Sequence, residues 1–184
     1  VRIEKLRQAF AVETVLVHFP LHPETPAEGR SLTALYAGRN RDPEAMYRRM
    51  KELMDAEGLP YGRRTHTYNS RLAQELGKWA DTEPGGAAIH DALYRAYFVE
   101  ARNIGDPEIL VEIAGSIGLP SDTARSVLTE RRFKDAVDAD WAKSRAYGIT
   151  GVPTFVAARF GVVGAQPYEV LAQLLEKAGV APRG

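Results

Sequence analysis

Thr150-Gly151-Val152-Pro153-Thr154-Phe155 stands between a helical pattern that stops at Gly148 and a pair of short apolar runs. Those runs, Phe155-Val156-Ala157-Ala158 and Phe160-Gly161-Val162-Val163, read as a β-hairpin. A proline at the mouth of a strand that must pair brings no N–H to the ladder. Two readings of Pro153 are therefore open. If the bond before it is cis, a state nearly confined to X-Pro, the Val152 main chain turns outward and its N–H and C=O can pair with an extended peptide or thiol ligand. If it is trans, the proline simply opens an edge strand. Only about 5–6% of X-Pro bonds in folded proteins are cis, so the residues by themselves favour the second.

The 184 residues suffice for one substantial core, or one domain with a large insertion. Twenty-four basic and 24 acidic side chains cancel, which removes any global field that would attract nucleic acid or an anionic membrane. No apolar run approaches the roughly 20 residues of a membrane span, and the start has no secretory apolar region. The expectation is a soluble, cytoplasmic protein with neither nucleic-acid nor membrane partners. There is no cysteine, so these residues form no disulfide and do no thiol chemistry of their own.

Working outward, Ile3, Leu6, Ala9 and Phe10 predict an amphipathic helix already under way at Val1. Thr14-Val15-Leu16-Val17-His18-Phe19 is β-branched and apolar on both alternating faces, which predicts a buried strand ending at Pro20. Residues 21–41, with Pro23, Pro26, Gly29, Gly38 and Asn40, read as loop. Six helical patterns follow. Asp42-Pro43 opens the first, whose Met46, Met50, Leu53 and Met54 read as a core-facing or packing row. Asn69 or Ser70 opens the second, with Leu72, Leu76 and Trp79; Ile89 and Ala96 mark the third; Asp106-Pro107 opens the fourth; and Ser121 opens the fifth. Phe133, Val137, Trp141, Ser144 and Tyr147 line the sixth, and after the hairpin Gln166-Pro167 opens a terminal helix.

Little else in the chain points to chemistry. His18 and His22 are four apart but flank Pro20, so they share no helical face for a metal, and no metal site is expected. No nucleophile-elbow or phosphate-binding glycine loop is present. Glu130-Arg131-Arg132 and Tyr61-Gly62-Arg63-Arg64 read as solvated charge.

Several segments together resemble the DsbA-like oxidoreductases of the thioredoxin fold, in particular the FrnE-type branch. They are Phe19-Pro20-Leu21-His22-Pro23, Asn69-Ser70-Arg71-Leu72-Ala73, Leu93-Tyr94-Arg95-Ala96-Tyr97-Phe98 and Asn103-Ile104-Gly105-Asp106-Pro107, with Tyr147 to Phe155 and Val163-Gly164-Ala165-Gln166-Pro167. The resemblance implies an α/β thioredoxin fold with a large all-α insertion between its βα/β half and its hairpin half. Residues 1–41 and 148–184 would form the thioredoxin-like domain and residues 42–147 the helical insertion. It also implies that Pro153 is the family's cis-proline.

Thr150, Gly151, Val152 and Pro153 would then position a thiol or disulfide substrate, protein or small molecule, with His18, Phe19 and His22 bordering the site and Trp79 roofing it. The family's reactive Cys-x-x-Cys sits at the N-terminus of the first helix, where the helix end stabilises a thiolate. This chain lacks the pair and the strand before it, so no catalytic residue falls within it, and residues upstream of Val1 are expected in the native product. No cofactor is expected unless glutathione serves. The kappa-class glutathione transferases and 2-hydroxychromene-2-carboxylate isomerases, which use serine in the cysteine's place, share the Asn69-Ser70 and Gly151-Val152-Pro153-Thr154 features and offer the alternative activity. A non-catalytic peptide-binding module is the third reading. Apolar surface on the insertion would support a homodimer.

Overall fold

The amphipathic start forms helix α1 (Arg2–Ala9), which turns Leu6 inward; Phe10 follows at 2% exposure, its main chain bridged to Pro182. The computed structural model describes residues 2–38 and 41–183, so Val1 and Asn40 lie outside the described residues. The strand expected at Thr14–Phe19 does not form. Residues 11–20 have no regular structure, and Val15, Leu16 and Val17 are 69%, 45% and 37% exposed. A strand is held by ladder hydrogen bonds to a neighbour, and among the described residues no strand pairs with this segment.

Residues 21–41 are not all loop. Within them lie β1 (Arg30–Ser31) and a short helix, α2 (Leu32–Tyr36), whose Ala34 N–H donates to the Ser31 hydroxyl. Asp42 caps α3 (Pro43–Ala56) by accepting from Glu44 N–H, with proline at the first turn where its missing N–H costs nothing. The row on α3 is not core: Met46, Met50 and Leu53 are exposed, and no α3 residue is buried. β2 (His66–Thr67) then pairs antiparallel with β1, Arg30 opposite Thr67.

Helices α4 (Arg71–Ala80), α5 (Ala88–Phe98), α6 (Pro107–Ser116) and α7 (Ser121–Thr129) build the apolar core of residues 22–138. Leu76, Ile89, Leu110, Ala114 and Ala124 have no exposed surface there. Each large aliphatic side chain so buried contributes about 1.5–3 kcal/mol. The α4–α5 turn is tight: a Cβ on Gly86 would lie 1.8 Å from the Ala80 carbonyl oxygen.

Among the described residues, one charge sits inside this unit. Glu75 is fully buried and accepts from Arg71 Nε at 2.6 Å and from Arg131 Nε and Nη2 at 2.7 and 2.6 Å. Burial alone would raise its carboxyl pKa, but the hydrogen bonds from Arg131 and Arg71, with their charges, hold it below the usual value. Arg71 Nη1 also donates to Asp138 at 2.7 Å, and that bond, with one from Lys134, holds the Asp138 carboxyl down at about 2. Arg131, expected as solvated charge, is therefore the partner of a buried carboxylate.

Helix α8 (Lys134–Ala146) begins in this unit and ends in the other, which comprises residues 1–21 and 139–184. There β3 (Thr154–Ala157) and β4 (Phe160–Val163) form the hairpin, Thr154 opposite Val163 and Ala157 opposite Phe160. Helix α9 (Tyr168–Lys177) sets Leu171 against Leu6 and Phe10, with Phe155, Val162 and Leu175 packed around them. Tyr147, expected in the apolar stripe of α8, is exposed.

The unit boundaries thus fall at 21/22 and 138/139 rather than at 41/42 and 147/148. The β1–β2 ladder ties the segment after His22 to the helices, and the last two turns of α8 hold His18, as described next.

Candidate ligand-binding site

Gly148, with φ +64°, ends α8: its N–H donates to Arg145 C=O at 2.9 Å, and Ile149 N–H donates to Ser144 C=O at 3.0 Å. Thr150, Gly151, Val152 and Pro153 follow directly. Two hydrogen bonds shape the end of this loop, Thr154 Oγ1 to Gly151 C=O at 2.7 Å and Gly164 N–H to Pro153 C=O at 2.8 Å. The Val152–Pro153 peptide bond is cis. Val152 is 50% exposed, and among the described residues no hydrogen bond engages its main-chain N–H or C=O. A main-chain N–H and C=O left without partners at an exposed residue are groups that an extended chain can pair with. A Cβ placed on Gly151 would meet nothing within 4 Å.

His18 lies in the same unit, and its main chain is held at both ends. Its N–H donates to Asp140 Oδ2 at 3.0 Å, and its C=O accepts from Ser144 Oγ at 3.2 Å. Phe19 follows half-buried, its C=O accepting from Leu21 N–H at 3.0 Å. The other two candidates belong to the helical unit. His22 places Nδ1 3.8 Å from Glu24, and Trp79 is 3% exposed inside the core of α4 to α7. The Trp79 ring is thus enclosed by packing and presents no surface for roofing a groove.

Of the two side chains that hold His18, Asp140 is not singled out by the sequence, and Ser144 figures there only in the stripe lining α8. Both are buried, at 8% and 4% exposure, one turn apart on α8. The available signal was a pair of polar side chains set four apart beside the stripe of Val137 and Trp141, which an amphipathic helix has no packing reason to turn inward.

Residues that carry the family resemblance do structural work in the helical unit. Asn69 donates to the carbonyls of Pro23 and Thr25 at 3.2 and 2.8 Å and accepts from Arg71 N–H at 2.9 Å, so it fastens a loop and starts α4 together. Asn103 donates to Ala27 C=O at 3.4 Å and accepts from Gly105 N–H at 2.9 Å. Arg64 stacks over Tyr97 and Phe98, 4.3 and 4.9 Å from the ring centres, rather than standing in solvent. Among the described residues no three His, Cys, Asp or Glu side chains are grouped to hold a metal, and no helix is long and apolar enough to cross a membrane.

A hairpin led by a cis-proline, closed by a C-terminal helix and preceded by a helical insertion, defines an α/β protein of the thioredoxin type. The DSBA-like thioredoxin domain family matches residues 1–176, and the chain belongs to that family. It is 35% identical to a probable DsbA oxidoreductase from Streptomyces coelicolor, whose crystal structure it matches with a TM-score of 0.87 over 97% of this chain and 82% of that one. 2-Hydroxychromene-2-carboxylate isomerase shares the fold at 17% identity, with a TM-score of 0.72 over 97% of this chain and 85% of that one. The cytosolic disulfide reductase DsbM from Pseudomonas aeruginosa, solved with GSH, shares it at 23% identity, with a TM-score of 0.53 over 70% and 72% of the two chains. The Bacillus subtilis protein YwbO is 32% identical over 108 residues, which are 57% of this chain; the match spans about half (52%) of YwbO.

Proposed function

We propose that this chain carries the substrate-receiving part of a thiol–disulfide oxidoreductase. An extended thiol or disulfide ligand, peptide or small molecule, lies along Thr150–Pro153 and pairs with the main chain of Val152. The observation behind this reading is the exposed Val152, whose main-chain N–H and C=O have no partner among the described residues. His18 and Phe19 border the ligand. In the exchange a thiolate attacks one sulfur of the substrate disulfide and a mixed disulfide forms; the other sulfur leaves as a thiolate and takes up a proton. No cysteine stands among the 184 residues, so that thiolate is not one of these side chains. Their part is to bind and orient. A cytoplasmic setting fits this reading, since the fold is shared with the cytosolic reductase DsbM.

In a second reading the ligand is glutathione, which brings its own sulfur to a transferase or isomerase reaction. The fold shared with DsbM, solved with GSH, and with an isomerase supports it. One titration tests both readings. The ¹⁵N-labelled chain is followed by NMR as oxidised glutathione, reduced glutathione, or a short extended peptide carrying a disulfide is added. Shifts of the Gly151, Val152 and Thr154 amides with the disulfides support the first reading; a response confined to reduced glutathione supports the second. Silence at Val152 with all three overturns both.

A further inference from the structure

We infer that Ser144, together with Asp140, is a positioning residue for the ligand site, fastening His18 and the Thr150–Pro153 loop to the same end of α8. The inference rests on the ligand reading above and adds to it the residues that hold the site's two margins in register.

Among the described residues no strand pairs with the segment containing His18. What holds its main chain is a pair of side chains: Asp140 takes the His18 N–H at 3.0 Å, and Ser144 gives its hydroxyl proton to the His18 C=O at 3.2 Å. Residues four apart on a helix stand one above the other, so a single face of α8 reaches both polar groups of one residue. Ser144 holds the other margin as well. Its own C=O accepts from Ile149 N–H at 3.0 Å, and Thr150 is the next residue. One residue thus fixes His18 through its hydroxyl and the loop through its carbonyl.

Burying a carboxylate and a hydroxyl is unfavourable unless each is hydrogen-bonded. An alanine or valine on this face would satisfy packing alone, whereas only groups able to hydrogen-bond can hold His18. A ligand paired with Val152 and flanked by His18 needs both margins at a constant separation, because binding groups that shift lose affinity to the cost of ordering them.

The test compares shape-matched variants of the full chain, Ser144→Thr and Ser144→Val, which differ in the hydroxyl alone, with Asp140→Asn and Asp140→Ala alongside. The readouts are hydrogen exchange at the His18 amide without ligand, and the affinity for oxidised glutathione reported by the Val152 amide. Ser144→Thr and Asp140→Asn, which keep a donor and an acceptor, should retain wild-type affinity and a protected His18 amide. Ser144→Val and Asp140→Ala should bind about tenfold more weakly, the worth of one hydrogen bond, while the Val152 amide still responds. Equal affinities within each pair, or equal losses, would overturn the positioning role. A wild-type Val152 amide that ignores oxidised glutathione, reduced glutathione and the disulfide peptide alike would instead fail the ligand reading itself, a result visible before any variant is made, and would take the inference with it.

Discussion

Arg71 Nε donates to Glu75 Oε1 at 2.6 Å, four residues along the same helix, and on its other side Arg71 reaches Asp138 at 2.7 Å. A guanidinium forked between two carboxylates, one fully buried, joins α4 to α8 within the helical unit. Truncating one member of a buried ion pair leaves the others charged and unpaired. Glu75→Ala is expected to lower the unfolding free energy by about 3–5 kcal/mol, measured by urea denaturation. A loss below about 1 kcal/mol would mean that Arg71 and Arg131 find water when the carboxylate is gone.

The same network sets the acid response. Asp138 and Glu75 both have carboxyl pKa values below their ordinary ones, Asp138 falling from 3.8 to about 2. A carboxylate whose folded pKa is depressed contributes stability above its unfolded pKa and loses it as pH falls through the folded one. Stability should therefore drop between about pH 3.8 and about 2. Asp138→Asn should flatten that part of the pH–stability curve and leave the curve unchanged in shape near neutrality; an unaltered acid slope would contradict the assignment.

Two glycines make a contrast. Gly86 has no room for a Cβ, which would stand 1.8 Å from the Ala80 carbonyl oxygen, so Gly86→Ala must move main chain and should cost about 3 kcal/mol. Gly151 faces open space. Gly151→Ala should leave the melting temperature within a degree or two, yet weaken any ligand that lies against the loop. Thermal unfolding and glutathione titration of the two variants would separate the effects.

Trp79 supplies a prediction that opposes its expected place over the ligand. Because its ring is 3% exposed within the helical core, Trp79→Ala should destabilise by about 3–5 kcal/mol. Its folded fraction should bind oxidised glutathione as wild type does. A selective loss of affinity with stability intact would return the indole to the site.

Much of this architecture was legible in local signals. Asp42-Pro43 and Asp106-Pro107 each open a helix, their side chains accepting from the N–H two residues on, because that chemistry acts within a few residues. The run Thr14–Phe19 misled for the converse reason. β-branched residues report how well a segment would suit a sheet, but a strand also needs a neighbour, and that is not a local property. Arg131 and Glu75 lie 56 residues apart, so no periodicity could pair them. Ser144 stands on the expected stripe of α8, but its bond to His18, and that of Asp140, escaped because the partner is main chain, which residue type does not name. The methionine face of α3 has the spacing of a core stripe, and spacing alone does not say whether anything covers it.

Asn69 and Asn103, whose surroundings carry much of the family likeness, spend their side chains tying the 23–27 loop down. What sequence kinship recognises here is largely joinery. A descendant could keep every one of these fastenings, fold as its ancestors did, and trade no sulfur bonds at all.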